Sequence, residues 1–233
     1  LTKSVIHRVK TTSYIIEDYP KQKLRNDSLD FRVKYIEKKL DDYDLIKSNV
    51  IYLMEDNDIL SCAFCVIYTT YAEDDWPDDM DFSSGIFTYY GDNKEPGAAI
   101  NDKKRVGNLF LEYLFKHLNN NLRQKIQPVL CFEKVKIKNQ GSFMRFLGLA
   151  APGGEELSSG DNLVPEWRSK SNKKFENYRA KFTILDEPII QRSWLEDMVN
   201  GVPSYESQHC PPLWKKWVET GQYFSISKTD TTF

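Results

Sequence analysis

The stretch DDWPDDMDFSSGIFTYYGDN, residues 74–93, places carboxylates and aromatic rings side by side. Residues 73–81 hold six acids and no base, with Trp76 among them. Tyr89 and Tyr90 then precede a Gly91-Asp92-Asn93 turn. A solvated acidic loop needs no aromatic residues, and a core strand needs no run of aspartates. Together they describe a pocket with flat walls and a hydrogen-bond acceptor. A base held against aromatic side chains gains about 1–3 kcal/mol from stacking. A carboxylate at its edge accepts from an exocyclic amine, which cytosine offers at N4 and thymine does not. The same acids repel phosphate, so the base must enter alone, turned out of its helix. Trp76, Asp78, Asp79, Tyr89 and Tyr90 are the candidate pocket residues.

Local sequence suggests how they are held. Pro77 biases Trp76 to extended backbone. Gly85 permits a tight turn. Along the strand that follows, Phe87 and Tyr89 share one face, and Thr88 and Tyr90 the other. Two basic runs are candidates for phosphate and base contacts. Lys21, Lys23, Arg25 and Asn26 lie in a polar loop after Pro20. Residues 168–181 carry six bases and one acid, and Arg168, Lys170, Lys173, Lys174 and Arg179 are the contacts expected there. A solvated charged loop is the plain alternative for each run. The formal net charge is −2. A DNA-binding role must therefore rest on charge asymmetry, with one cationic face on a nearly neutral protein.

The segment WPDDMDFSSGIFTYYG resembles the base pocket of SRA domains, which flip 5-methylcytosine out of duplex DNA. FTYYGDNKEPG, RVGN, FMRFLGLAAPG and FENYRAKFTILD extend the likeness. Over roughly residues 60–190 the chain resembles the N-terminal recognition domain of the MspJI family of modification-dependent restriction endonucleases. That resemblance implies double-stranded DNA containing modified cytosine as the partner. The base is 5-methylcytosine, with 5-hydroxymethylcytosine left open. By the same resemblance Trp76 matches the first stacking aromatic, Asp79 the carboxylate at the base edge and Tyr89 the second aromatic. Tyr90 replaces a threonine. An insertion near Ser83-Ser84 leaves open which of Asp78, Asp79 and Asp81 meets the base.

The elements that must position these residues read as α+β. Strands are expected at Ser4–Lys10, Ser13–Ile16, Val50–Met54, Leu60–Tyr71, Ile86–Tyr90, Ile126–Ile137, Ser142–Ala150 and Asn177–Leu185. Helices are expected at Phe31–Leu40, Val106–Leu118, Ile189–Asn200 and Pro211–Thr220. Strands without regular βαβ alternation point to an SRA-like curved, barrel-like antiparallel sheet with a few flanking helices. One such domain spans 1–233, with a polar tail from about residue 221 leading to a nuclease domain outside the chain. Mg²⁺ is expected for that domain and no cofactor for this chain. The oligomeric state of the full-length protein stays open.

Other chemistry is weaker. Cys62-x-x-Cys65 invites zinc, but it lies in the apolar run LSCAFCVIY, and residues three apart on a strand face opposite ways. No metal ligand set is assigned. Glu133-x-x-Lys136 is one residue longer than the usual nuclease E-x-K, and strand alternation separates the two side chains. No catalytic residue is assigned. A complete metal-dependent nuclease within the chain, or a binder of small molecules or modified nucleosides, remain the alternatives. No apolar run approaches membrane-spanning length and no secretory signal is visible, so a cytoplasmic protein with reduced cysteines is expected.

Overall fold

The computed structural model describes residues 5–9, 13–16, 53–55, 59–61, 63–101, 107–137, 141–187 and 189–226. Twelve strands are described: β1 (Val5–Val9), β2 (Ser13–Ile16), β3 (Leu53–Glu55), β4 (Ile59–Ser61), β5 (Cys65–Thr69), β6 (Asp79–Asp81), β7 (Ile86–Tyr90), β8 (Val129–Ile137), β9 (Gly141–Pro152), β10 (Leu163–Lys170), β11 (Lys173–Ile184) and β12 (Ile189–Gln191). The described helices are α1 (Gly107–Asn119), the single turn α2 (Ser159–Asn162), α3 (Arg192–Val199) and α4 (Pro212–Thr220).

Ten strands form one sheet along the path β12-β1-β2-β9-β11-β7-β6, with β10 joined to β11, and β8 joined to β9 and β5. β3 and β4 form a separate hairpin. The sheet is curved but open, ending at β12 and β6. It is mixed rather than purely antiparallel, because β5 and β8 run parallel. β9 makes the bend. Its first part pairs with β8 and its last residues, Ala150–Pro152, pair with β11. Within it the register shifts between Cys131 and Phe132, leaving Leu147 as an extra residue beside Gly148, whose φ is 151°. Such bulges bend a strand and steepen its twist.

The core fills the concave side. α1 buries Phe110, Leu111, Leu114 and Phe115 at helical spacing, and Phe115 meets Phe182 of β11 at 5.6 Å between ring centroids. Cys65 and Cys131 are core residues, and Cys62 lies outside the described residues. α3 and α4 close one end with Trp194, Trp214 and Trp217. The Trp194 and Trp214 indole N–H groups donate to the Ser204 carbonyl and hydroxyl. Among the described residues no helix is long and apolar enough to cross a membrane.

Several expectations change. The helix expected at Phe31–Leu40 lies outside the described residues. Ile189–Gln191 pairs with β1, so the helix there starts only at Arg192. The basic run at 168–181 is no loop: β10 and β11 form a hairpin across it. The first residues of the tail expected from residue 221 are docked on the sheet. Gly221 caps α4 in the left-handed region, and the chain returns to the sheet. There Ser225 bridges Leu185, the Tyr223 hydroxyl donates to the Pro152 carbonyl, and Ile226 is buried.

Candidate functional site

The Gly91-Asp92-Asn93 turn fastens β7 to its surroundings. Gly91 N–H donates to the Tyr178 carbonyl, and its own carbonyl accepts from the Asn177 side chain. A Cβ at Gly91 would lie 1.7 Å from Asn108 Oδ1, so only glycine fits. Asp92 accepts from the first N–H of α1, at Gly107 (3.0 Å), where the helix has an unpaired donor. The Asn93 amide donates to the Glu176 carbonyl of β11 at 2.8 Å.

Held this way, β7 presents two different faces. Phe87 and Tyr89 point to the concave side; Phe87 is fully buried and Tyr89 packs at the core margin. Asp78 precedes β6 and reaches that side too. Its Oδ1 accepts from the Tyr90 backbone N–H at 2.8 Å, and the Thr69 hydroxyl is a second partner. Thr69 Oγ1 in turn accepts from Tyr71 N–H at 3.0 Å. The carboxylate is thereby fixed between the ends of β5 and β7. Burial raises its pKa to about 6, against the opposing pull of those two hydrogen bonds. Burial, reinforced by the Asp78 charge, pushes up the Tyr89 hydroxyl and the Cys131 thiol. Burial raises the Tyr71 hydroxyl as well, followed by the charges of Glu133, Cys131, Asp78 and Asp79. These groups therefore share one electrostatic neighbourhood. Tyr71 stands at its mouth, 38% exposed and in the left-handed region at φ 52°, strained backbone for a tyrosine.

The other face holds Tyr90 and Trp76. Trp76 is only 2% exposed and packs on Tyr90 (5.4 Å between centroids) and edge-on to Phe175 (5.3 Å). The Arg168 guanidinium lies 4.9 Å from the Trp76 ring. Glu166 joins the group: it accepts from Tyr90 Oη, Arg168 Nη2 and Arg179 Nε at 3.2, 3.2 and 2.6 Å. Arg168 also donates to the Asp75 carbonyl, and Lys170 pairs with the Asp75 carboxylate. The five candidates are thus divided by the strand. Asp78 and Tyr89 come together, and Trp76 and Tyr90 come together behind them. Asp79 is exposed on the edge strand β6, opposite Thr88. Asp81 is exposed too and bonds Ser83 and Ser84, which lower its pKa to about 2.

Of the expected DNA contacts, Lys21, Lys23, Arg25 and Asn26 lie outside the described residues. Lys173 and Lys174 are exposed near the tip of the β10–β11 hairpin and form no ion pair with any described residue. Arg168, Lys170 and Arg179 are engaged in the clamp on the acidic loop. Sequence reasoning missed Tyr71 and Glu166. Tyr71 closes the aromatic run YTTY just before the acids and could have been suspected. Glu166 carries no clear local signal, since two of its three partners, Tyr90 and Arg179, come from other strands.

Two further features bear on chemistry. A groove of about 500 Å³, lined by Asp81, Ser84, Thr88, Lys181, Thr183 and Tyr223, lies on the Ile86 and Thr88 face of β7, away from Asp78 and Tyr89. Glu133 pairs with Arg145 across β8 and β9 at 3.3 Å. Among the described residues no group of three or more His, Cys, Asp or Glu is arranged to hold a metal.

A family model described as restriction endonuclease AspBHI, N-terminal, matches residues 26–229. The chain belongs to this family. Two solved structures agree with that assignment. The DNA modification-dependent restriction endonuclease AspBHI is 32% identical, with a TM-score of 0.68 over 78% of this chain and 80% of that one. The DNA recognition domain of the cytosine modification-dependent restriction endonuclease LpnPI is 31% identical, with a TM-score of 0.68 over 79% of each. The MspJI restriction endonuclease, solved with a 27-mer oligonucleotide, shares the fold at 15% identity and a TM-score of 0.60, over 99% of this chain and 55% of that one. No curated protein sequence matches. The family and these likenesses fit an SRA-like recognition domain in fold.

Proposed function

We propose that this chain recognises modified cytosine in duplex DNA, taking the base out of the helix into the concave site at Asp78 and Tyr89. One observation carries the reading. A carboxylate buried enough to raise its pKa to about 6 is held rigidly beside Tyr89, with the Tyr90 N–H and the Thr69 hydroxyl together using only part of its acceptor capacity. The remaining lone pairs of a carboxylate at this partly buried position are available to a donor on a ligand. The cytosine N4 amine is a matching donor. Similarity to AspBHI, a DNA modification-dependent restriction endonuclease, and to the DNA recognition domain of LpnPI, a cytosine modification-dependent one, supports this reading.

In this reading Asp78, rather than Asp79, accepts from the base edge, and Tyr89 is one wall. Tyr71 is the second wall at the mouth. Trp76 and Tyr90 act from behind, fixing the loop that carries Asp78. Lys173 and Lys174 supply phosphate contacts, as do the basic residues near Pro20. The methyl group contributes about 0.8 kcal/mol through burial. Most discrimination must then come from the base edge and from flanking contacts. Cleavage, and the Mg²⁺ it uses, belongs to a nuclease domain of the parent restriction enzyme.

The test is a gel-shift series at fixed salt on one duplex bearing cytosine, 5-methylcytosine or 5-hydroxymethylcytosine. Tighter binding of a modified duplex is expected. Asp78→Ala should abolish that preference, a loss of roughly 10- to 100-fold for a charge-assisted hydrogen bond, while Asp79→Ala keeps it. Equal affinity for all three duplexes would overturn the reading.

A further inference from the structure

The β10–β11 hairpin has a feature that the base pocket does not use. Trp167 is 59% exposed, in a chain whose other four tryptophans are 2% exposed or less. Water does not favour leaving an indole uncovered on a rigid strand. The hairpin is rigid: β10 and β11 pair without interruption from Leu163↔Ala180 to Lys170↔Lys173. Ser171 and Asn172 both have positive φ, 51° and 59°, the geometry of a two-residue turn that matches strand twist.

Strand register tells which way Trp167 points. Trp167 lies opposite Glu176, and residues opposite each other in an antiparallel pair project to the same face. Along β11 that face continues through Tyr178 to Ala180, which lies opposite Tyr89. Trp167 is therefore on the Asp78–Tyr89 side of the sheet, roughly 13 Å along β11 and about 10 Å across two strand spacings from Tyr89. Lys174 projects from this face as well. Arg168 and Lys170 project from the other, where they clamp Asp75 and Glu166.

We propose that Trp167 is a DNA-stacking residue that packs on the duplex beside the extruded base, with Lys174 holding the adjoining phosphate. This rests on the DNA-recognition reading above and adds a contact to it. An aromatic residue next to Lys174, which pairs with no acid among the described residues, fits a polyanion whose bases offer flat faces, because stacking and charge then act together. A protein partner would not call for Lys174 beside the ring, with Lys173 adding charge from the other face of the same tip. Glu176, across from Trp167, keeps the cationic field local to the tip.

Trp167 is its own probe, because the remaining tryptophans are shielded. Acrylamide quenching of intrinsic fluorescence in the free protein should come mainly from Trp167 and be lost in Trp167→Phe. Adding a 5-methylcytosine duplex, with complex formation followed by gel shift on the same samples, should protect it. Trp167→Ala should lower affinity for that duplex roughly tenfold or more, with unchanged melting temperature. Trp167→Phe should retain most of the affinity. A complex in which Trp167 stays fully quenchable, or unaltered affinity in Trp167→Ala, would overturn the assignment of Trp167 and leave the pocket reading standing. Absence of any complex with wild-type protein would instead sink the DNA reading itself.

Discussion

Asp78 is costly to the fold. Its folded pKa, about 6, lies above the ordinary aspartate value of 3.8, so folding favours its neutral form. The stability this gives is present below about pH 4 and is lost as pH rises through about 6. The difference corresponds to about 3 kcal/mol at neutral pH, reduced because the group is only half-buried. Asp78→Asn removes the charge while its carbonyl oxygen can still accept from Tyr90. At pH 7.5 the variant should melt a few degrees higher than wild type by calorimetry. It should also lose the modified-cytosine preference, since the amide turns a donor toward the N4 amine. If the ionised form does the binding, wild-type affinity for the modified duplex should fall below about pH 6, and the Asn variant should show no such step. A protein less stable at pH 7.5 after this substitution would contradict the burial argument.

At the scale of elements, the β10–β11 hairpin joins two tasks. One face of it clamps the acidic loop through Glu166, Arg168 and Lys170, and its tip presents Lys173 and Lys174. Charge at the tip is sequence-independent in what it attracts. Lys173→Ala with Lys174→Ala should therefore weaken binding to modified and unmodified duplexes alike. It should reduce the slope of log affinity against log salt by about 2. A loss confined to the modified duplex would show that the lysines act through the pocket instead. Little of this hairpin was legible in the sequence. Lysine-rich polar segments read as loops, and the pairing of 163–170 with 173–180 depends on partners across the turn. β7 was legible, because alternating aromatic residues between two glycine turns describe a strand from local pattern alone.

Over the whole molecule, the chain after α4 returns to the sheet, and Gly221 makes that return possible at φ 77°. Alanine there should cost about 1–2 kcal/mol in left-handed strain, and its Cβ would press on the Arg123 guanidinium at 3.1 Å. A fall of a few degrees in melting temperature is expected, whereas an unchanged midpoint would mean the docked segment 222–226 adds nothing to stability. By itself the sequence determined the composition of the site: carboxylates, tyrosines and glycine turns within one short span, and the alternation that sends Tyr89 and Tyr90 to opposite faces. It also determined the α+β class and the recognition-domain resemblance, which the family assignment bears out. Only the tertiary structure decided which face of β7 is concave. That choice turns Asp78 and Tyr89 inward, leaves Asp79 on an exposed edge and moves Trp76 behind the pocket loop. The reason is physical: strand periodicity fixes relative sides, but the inner side is set by where the bulged β9, α1 and the apolar residues of distant strands close the core.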